Sequence, residues 1–159
     1  MYRIVFIAIV LLGFTGVVRA EKMYVKEYYS NGSIKAEGWQ MNKVKTDYWI
    51  NYHSNGKIAS KGHFRNNQKN GYWYFYSPGG ALEKEGHFIN GSAESWWIFY
   101  EIGTRNKSKF EFKNNAKNGF CLHYKKRKLV LVEKYVDNRK TGAWTSISDF
   151  KRDNPSVSF

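Results

Sequence analysis

A chain of 159 residues makes one domain or one short array, and a hydrophobic fraction of 42% with 12 Tyr, 11 Phe and 6 Trp excludes intrinsic disorder. A formal charge of +13 points to anionic partners, and a single cysteine, Cys121, excludes an internal disulfide framework.

Residues 1–20 read as a signal peptide. Arg3 supplies a positive start, Ile4 to Val18 is an uncharged apolar run of 15 residues, and Val18-Arg19-Ala20 offers a leader-peptidase site ahead of Glu21. The run is shorter than the roughly 20 residues of a spanning helix; an uncleaved anchor is the alternative. No cysteine follows it, which excludes a lipoprotein anchor. Loss of Arg3 and Arg19 reduces the formal charge from +13 to +11. The rest of the chain is expected outside the cytoplasm, as a periplasmic, cell-surface or secreted protein. There its lysines would favour anionic lipids, cell-wall polymers or acidic proteins, and export makes nucleic acid a poor partner. The competing explanation is that the lysines solvate a sheet and discourage edge-to-edge association.

From here the chain repeats with a period of 24: Tyr28, Tyr52, Tyr76, Tyr100 and Tyr124 keep that interval, as do Trp49, Trp73 and Trp97. Gly38, Gly62 and Gly86 form another column, and Asn42, Asn66, Asn90 and Asn114 mark loops. Units are expected near 23–46, 47–70, 71–94, 95–118 and 119–141, with a half-unit at 142–150 containing Trp144. Residues 151–159 form a polar tail expected to fray.

Each unit reads as a β-hairpin. Aromatic runs are followed by Asn31-Gly32, Asn55-Gly56 or Gly79-Gly80, dipeptides suited to two-residue turns with positive φ at both positions. A looser loop such as 66–70 then leads to the next unit. The basic run Lys125 to Lys128 falls at a turn of the fifth unit. No sustained 3.6 period occurs, so no helix is predicted in the mature chain. The fold class is all-β: an elongated antiparallel meander of about ten strands, roughly 45–50 Å along its stacking direction.

Counting from the turns places Trp49 opposite Gly62 and Trp73 opposite Gly86, where glycine leaves room for an indole to cover the neighbouring backbone. One face then carries the structural columns Trp49, Gly62, Trp73, Gly86 and Trp97 with their phenylalanines, and should be the packed side. The other carries Tyr48, Tyr52, Tyr72, Tyr74, Tyr76, Trp96 and Tyr100 among charges, and is the candidate interaction face.

The unit Gly71-x-Trp73-x-x-Tyr76-x-x-Gly79-Gly80-x-Leu82-x-x-Glu85-Gly86-x-Phe88-x-Asn90-Gly91 resembles the bacterial variant of the MORN repeat, and residues 24–145 carry the likeness. The resemblance implies an elongated sheet serving as an interaction or dimerisation platform, with membrane-lipid binding proposed for some members. Related arrays are termed antitoxin-like, a role that export does not suit. Thr104, Phe110 and Cys121 depart from the pattern. Choline- and glucan-binding wall repeats are a partial second likeness, with a shorter unit and aromatic cages.

Chemistry is expected to be absent. His63 and His87 sit about 10 Å apart by strand counting, too far to share a metal. His53 and His123 fall at other positions and read as solvated or ring-packed. Glu83 and Glu85 have no facing acid, and Cys121 in the tryptophan column reads as a buried thiol. No catalytic residue, metal site or cofactor is predicted. The expected role is a non-catalytic scaffold for a protein partner in the bacterial envelope; the alternative is binding of an envelope glycan or anionic lipid through an aromatic and basic face.

Overall fold

Alternating aromatic and polar residues build eleven antiparallel strands into one sheet in strict chain order. They are β1 (Lys22–Tyr28), β2 (Ile34–Met41), β3 (Val44–Tyr52), β4 (Ile58–Arg65), β5 (Gln68–Tyr76), β6 (Leu82–Ile89), β7 (Ser92–Tyr100), β8 (Lys107–Lys113), β9 (Ala116–Lys125), β10 (Lys128–Val136) and β11 (Arg139–Trp144). The computed structural model describes residues 21–157. The predicted signal peptide and the last two residues of the tail lie outside them. Among the described residues no helix is long and apolar enough to cross a membrane.

The predicted pairing within units is found: Trp49 pairs with Gly62, Trp73 with Gly86 and Trp97 with Phe110. The two kinds of turn are exchanged relative to the sequence expectation. At His53–Lys57, Gly56 N–H donates to His53 O at 2.9 Å and His53 N–H to Lys57 O at 2.8 Å. Only Gly56, at φ 80°, enters the left-handed region; Asn55 does not, and its Oδ1 accepts from Lys57 N–H at 3.1 Å. This is a three-residue connection with a glycine bulge, and it shifts the register by one. Tyr76 therefore pairs with Leu82 and not with Glu83.

The tight two-residue turns lie between units. Asn66 and Asn67 both have positive φ (51° and 63°), and the predicted loose segment continues at once into β5. Asparagine tolerates this region because its side chain bonds locally. Here Asn67 also latches onto the preceding unit: its Oδ1 accepts from Lys45 N–H at 2.6 Å, and its N–H donates to Lys45 O at 3.0 Å. Asn115 repeats the latch on Ala93, and Asn138 on Lys117. The basic run does make a turn, at Lys126 and Arg127.

Trp49, Trp73 and Trp97 are wholly buried or nearly so, though they lie toward the other neighbour than expected. A Cβ added to Gly62 would stand 2.5 Å from Trp73 Cδ2, and Gly38 and Gly86 are covered equally closely by Trp49 and Trp97. Each indole therefore roofs the glycine of the preceding unit. A bulge at Asp47, Gly71 and Ser95, all with positive φ, opens the ladder beside each ring. The freed carbonyls receive the indole N–H groups, as in Trp73 Nε1 to His63 O at 2.9 Å and Trp97 Nε1 to His87 O at 3.1 Å. Phe64 and Phe88 stand edge-on between successive indoles, 5.0 Å from Trp73 and 4.9 Å from Trp97.

Two corrections concern the C-terminal end. The described residues do contain a helix, α1 (Ile147–Asp153), begun by Ser146, whose hydroxyl accepts from Asp149 N–H. It cuts across the boundary predicted between the half-unit and the fraying tail. Phe150 is 1% exposed against Leu122 and Val132, on the tyrosine face of the sheet. Trp144 is the second correction. It pairs with Val132, so it faces α1 and leaves the tryptophan column, and its Nε1–H donates to Asp153 Oδ2 at 2.9 Å.

Candidate functional site

Most of the sheet is a single layer, so both faces present side chains directly. On the tyrosine face the proposed interaction residues form a row tied to its own charges. Tyr52 Oη donates to Glu37 Oε1 at 2.5 Å and Tyr100 Oη to Glu85 Oε1 at 2.6 Å. Tyr74 and Tyr76 lie instead beside the Lys61 ammonium, 5.6 Å from each ring centre. Glu37, Lys61 and Glu85 thus alternate in sign along one column. Tyr48 stands edge-on to His63 at 5.1 Å, and Tyr72 contacts both His87 and Tyr74. Trp96 does not belong to this open row. It packs against the Leu122, Val132 and Phe150 cluster under α1.

Both phenols in these contacts are raised, and Glu37 is lowered. Burial, followed by the hydrogen bond to Glu37, pushes the Tyr52 phenol up to about 12, and Tyr100 moves the same way beside Glu85. The Tyr52 hydroxyl in turn lowers the Glu37 carboxyl. Since a free tyrosine ionises near about 10, the Tyr52 contribution to stability is intact below that pH. It is lost as pH rises from about 10 through the folded value of about 12. In an alkaline titration followed by circular dichroism and phenolate absorbance, Tyr52→Phe is expected to flatten the fall in stability across this window. An unchanged slope would show that the bond to Glu37 does not survive in solution.

The tryptophan face is more basic than its sequence suggested. Lys45 lies 3.9 Å from the Trp49 ring centre, Lys69 is 4.8 Å from both Trp73 and Phe75, and Lys84 is 5.1 Å from Phe75. Their stems cover half-buried Phe64, Phe75, Phe88 and Phe99, which no second layer covers among the described residues. Burial and the nearby Lys84 hold the Lys69 ammonium below its usual range.

A third arrangement was not foreseen. Where the repeat degenerates, Cys121 takes the tryptophan position and pairs with Glu133, and His123 follows two residues on along the same strand. Cys121 Sγ lies 3.1 Å from His123 Nε2, which lies 2.9 Å from Glu133 Oε2. Ser108 Oγ contacts His123 Nδ1 at 2.8 Å, Lys140 Nζ donates to Glu133 Oε1 at 3.1 Å, and Tyr135 Oη donates to Glu133 Oε2 at 3.1 Å. Burial and the Glu133 carboxylate push the Cys121 thiol up to about 12. Burial also opposes ionisation of Glu133, yet hydrogen bonds from His123, Lys140 and Tyr135 outweigh it and hold the carboxyl below its ordinary value. As it stands the thiol is protonated and no activated nucleophile. His123 is ring-packed as expected, edge-on to Phe110 at 5.9 Å, and in addition bridges Cys121 and Glu133. The signal in the sequence was the coincidence of broken columns at Phe110, Cys121 and Glu133. No family model matches the chain, and no curated protein matches it.

Proposed function

We propose that this chain is an exported, non-catalytic scaffold of the MORN-like kind that binds an acidic protein along its tryptophan face. The observation that carries this reading is the pair Lys69 and Lys84. Both ammonium groups stand over the half-buried Phe75 ring on an open sheet, with no carboxylate in ion-pair reach among the described residues. Partly desolvated cations above apolar surface gain most from an anionic group that arrives with apolar contacts of its own. On the tyrosine face, several hydroxyls and charges are already satisfied by one another, and α1 covers one end. That weakens the case for Tyr72, Tyr74 and Tyr76 as the contact row.

The test is recovery of a stoichiometric protein partner from envelope extract, followed by titration with charge-reversed chains. Lys69→Glu with Lys84→Glu is expected to weaken binding at least about tenfold and to reduce its salt dependence. Tyr74→Ala should leave it unchanged. Loss of binding only in Tyr74→Ala would move the interface to the other face. Saturable binding to anionic vesicles or wall polymer, with no protein recovered, would favour the glycan or lipid alternative. Trp96→Ala is a poor probe of either face, because it disturbs packing under α1.

A further inference from the structure

We propose that Cys121, His123 and Glu133 form a binding site for one divalent cation of the zinc class. The three donor atoms, a sulfur, a ring nitrogen and a carboxylate oxygen, all lie within 4.8 Å of one another. They are held by two adjacent strands, β9 and β10, with Cys121 and Glu133 as direct cross-strand partners. Such placement on paired backbone gives a more rigid donor set than a loop would. Two donors of a tetrahedral zinc stand about 3.3–3.6 Å apart, given bond lengths of about 2.0–2.3 Å. The observed separations of 3.1 Å and 2.9 Å need to open by only a few tenths of an ångström.

The surroundings fit the same chemistry. Ser108 Oγ lies 2.8 Å from His123 Nδ1, so it can take that nitrogen's N–H and leave the Nε2 lone pair for the metal, as outer-sphere partners of metal-bound histidines do. Lys140 holds the Oε1 atom of Glu133, and Oε2 faces the other donors while accepting from Tyr135 Oη at 3.1 Å. Binding replaces the S–H bond of Cys121 with a metal–sulfur bond, and that one proton leaves to solvent. The neutral His123 ring carries its single proton on Nδ1 and offers the Nε2 lone pair to the ion. A thiolate and a carboxylate balance a +2 ion. Sulfur and imidazole donors favour zinc, cobalt or copper and disfavour magnesium and calcium, which take oxygen ligands. Three protein ligands leave the fourth position for water or for a donor from outside the chain. This inference is independent of the scaffold reading, because neither Lys69 nor Lys84 belongs to the cluster.

Cobalt(II) titrated into the purified full chain under reducing conditions is the direct test. One equivalent is expected to bind with thiolate-to-cobalt charge-transfer absorption and tetrahedral ligand-field bands. Zinc should abolish both signals, and excess magnesium or calcium should leave them intact. His123→Gln and Glu133→Gln should lower cobalt affinity more than about 100-fold while keeping the β-sheet circular dichroism of the parent chain. Ser108→Ala, which touches only the outer nitrogen, should weaken it about 10–100-fold. Absence of the thiolate band at one equivalent would overturn the site. So would affinity in both His123→Gln and Glu133→Gln equal to that of the parent. Cys121→Ser should abolish the charge-transfer band, and if that variant fails to fold, His123→Gln, Glu133→Gln and Ser108→Ala still decide the question.

Discussion

Trp73→Ala is expected to cost about 3–5 kcal/mol in urea unfolding, at the upper end for a single truncation. The indole is 0% exposed and lies between two glycines, roofing Gly62 while pairing with Gly86. It also joins the edge-on ladder through Phe64 and Phe88, so its loss removes contacts on both sides. A sheet of one layer has no opposing core to collapse into the space, and the cavity term should be felt nearly in full. Trp73→Phe separates packing from hydrogen bonding. It keeps a ring but leaves the His63 carbonyl without the indole N–H, and about 1–3 kcal/mol should go with that bond alone. Because each unit touches only its neighbours, damage at the third unit should also uncouple the two ends of the array. Unfolding of Trp73→Ala is then expected in two steps, where the parent chain unfolds in one. A loss below about 1 kcal/mol would mean that the strand ladder, and not the indole, joins the units.

The columns that predict this were legible because they repeat. Five tyrosines, three tryptophans and three glycines at one interval specify hairpins, a meander and the pairing of Trp73 with Gly86 before any coordinates are known. The turns were not legible in the same way. Asn-Gly suits a two-residue turn with both φ values positive, and equally a longer connection in which glycine alone is left-handed. At the Asn55-Gly56 turn the next unit takes part as well: Asn55 Nδ2 donates to Pro78 O at 2.9 Å, a contact between units that local turn chemistry does not contain. The direction of each indole escaped for a related reason. Pairing rules place Trp73 beside Gly86, but the bulge at Gly71 frees a carbonyl on the other side and draws the ring over Gly62.

The Cys121, His123 and Glu133 cluster was written in the sequence only as a loss of pattern. Cys121 could be read as a weak tryptophan position and His123 as a stray histidine. Neither residue suggests chemistry until β9 and β10 set Cys121 against Glu133. The helix was hidden by its length. Seven residues are too few for a 3.6-residue period to appear, although Ser146 and Asp149 hold the spacing of an N-cap.

Phe150→Ala is the sharper test of that helix. Phe150 is 1% exposed, stands edge-on to Phe120 at 5.5 Å and to Trp144 at 5.4 Å, and packs on Leu122 and Val132. Truncation of such a ring ordinarily costs about 3–5 kcal/mol. An isolated helix of seven residues has no stability of its own, so nearly all of that energy holds α1 onto the sheet. The loss should therefore be local. In native-state hydrogen exchange, amides of β11 and α1 are expected to lose most of their protection, while those of β3 to β7 keep theirs. Trp144 fluorescence should shift to the red as its contacts with Phe150 and Asp153 are lost. Uniform loss of protection along the whole array would instead make α1 part of one cooperative core. In that case the repeats could not be treated as a chain of neighbours, and the two-step unfolding expected for Trp73→Ala would disappear with it.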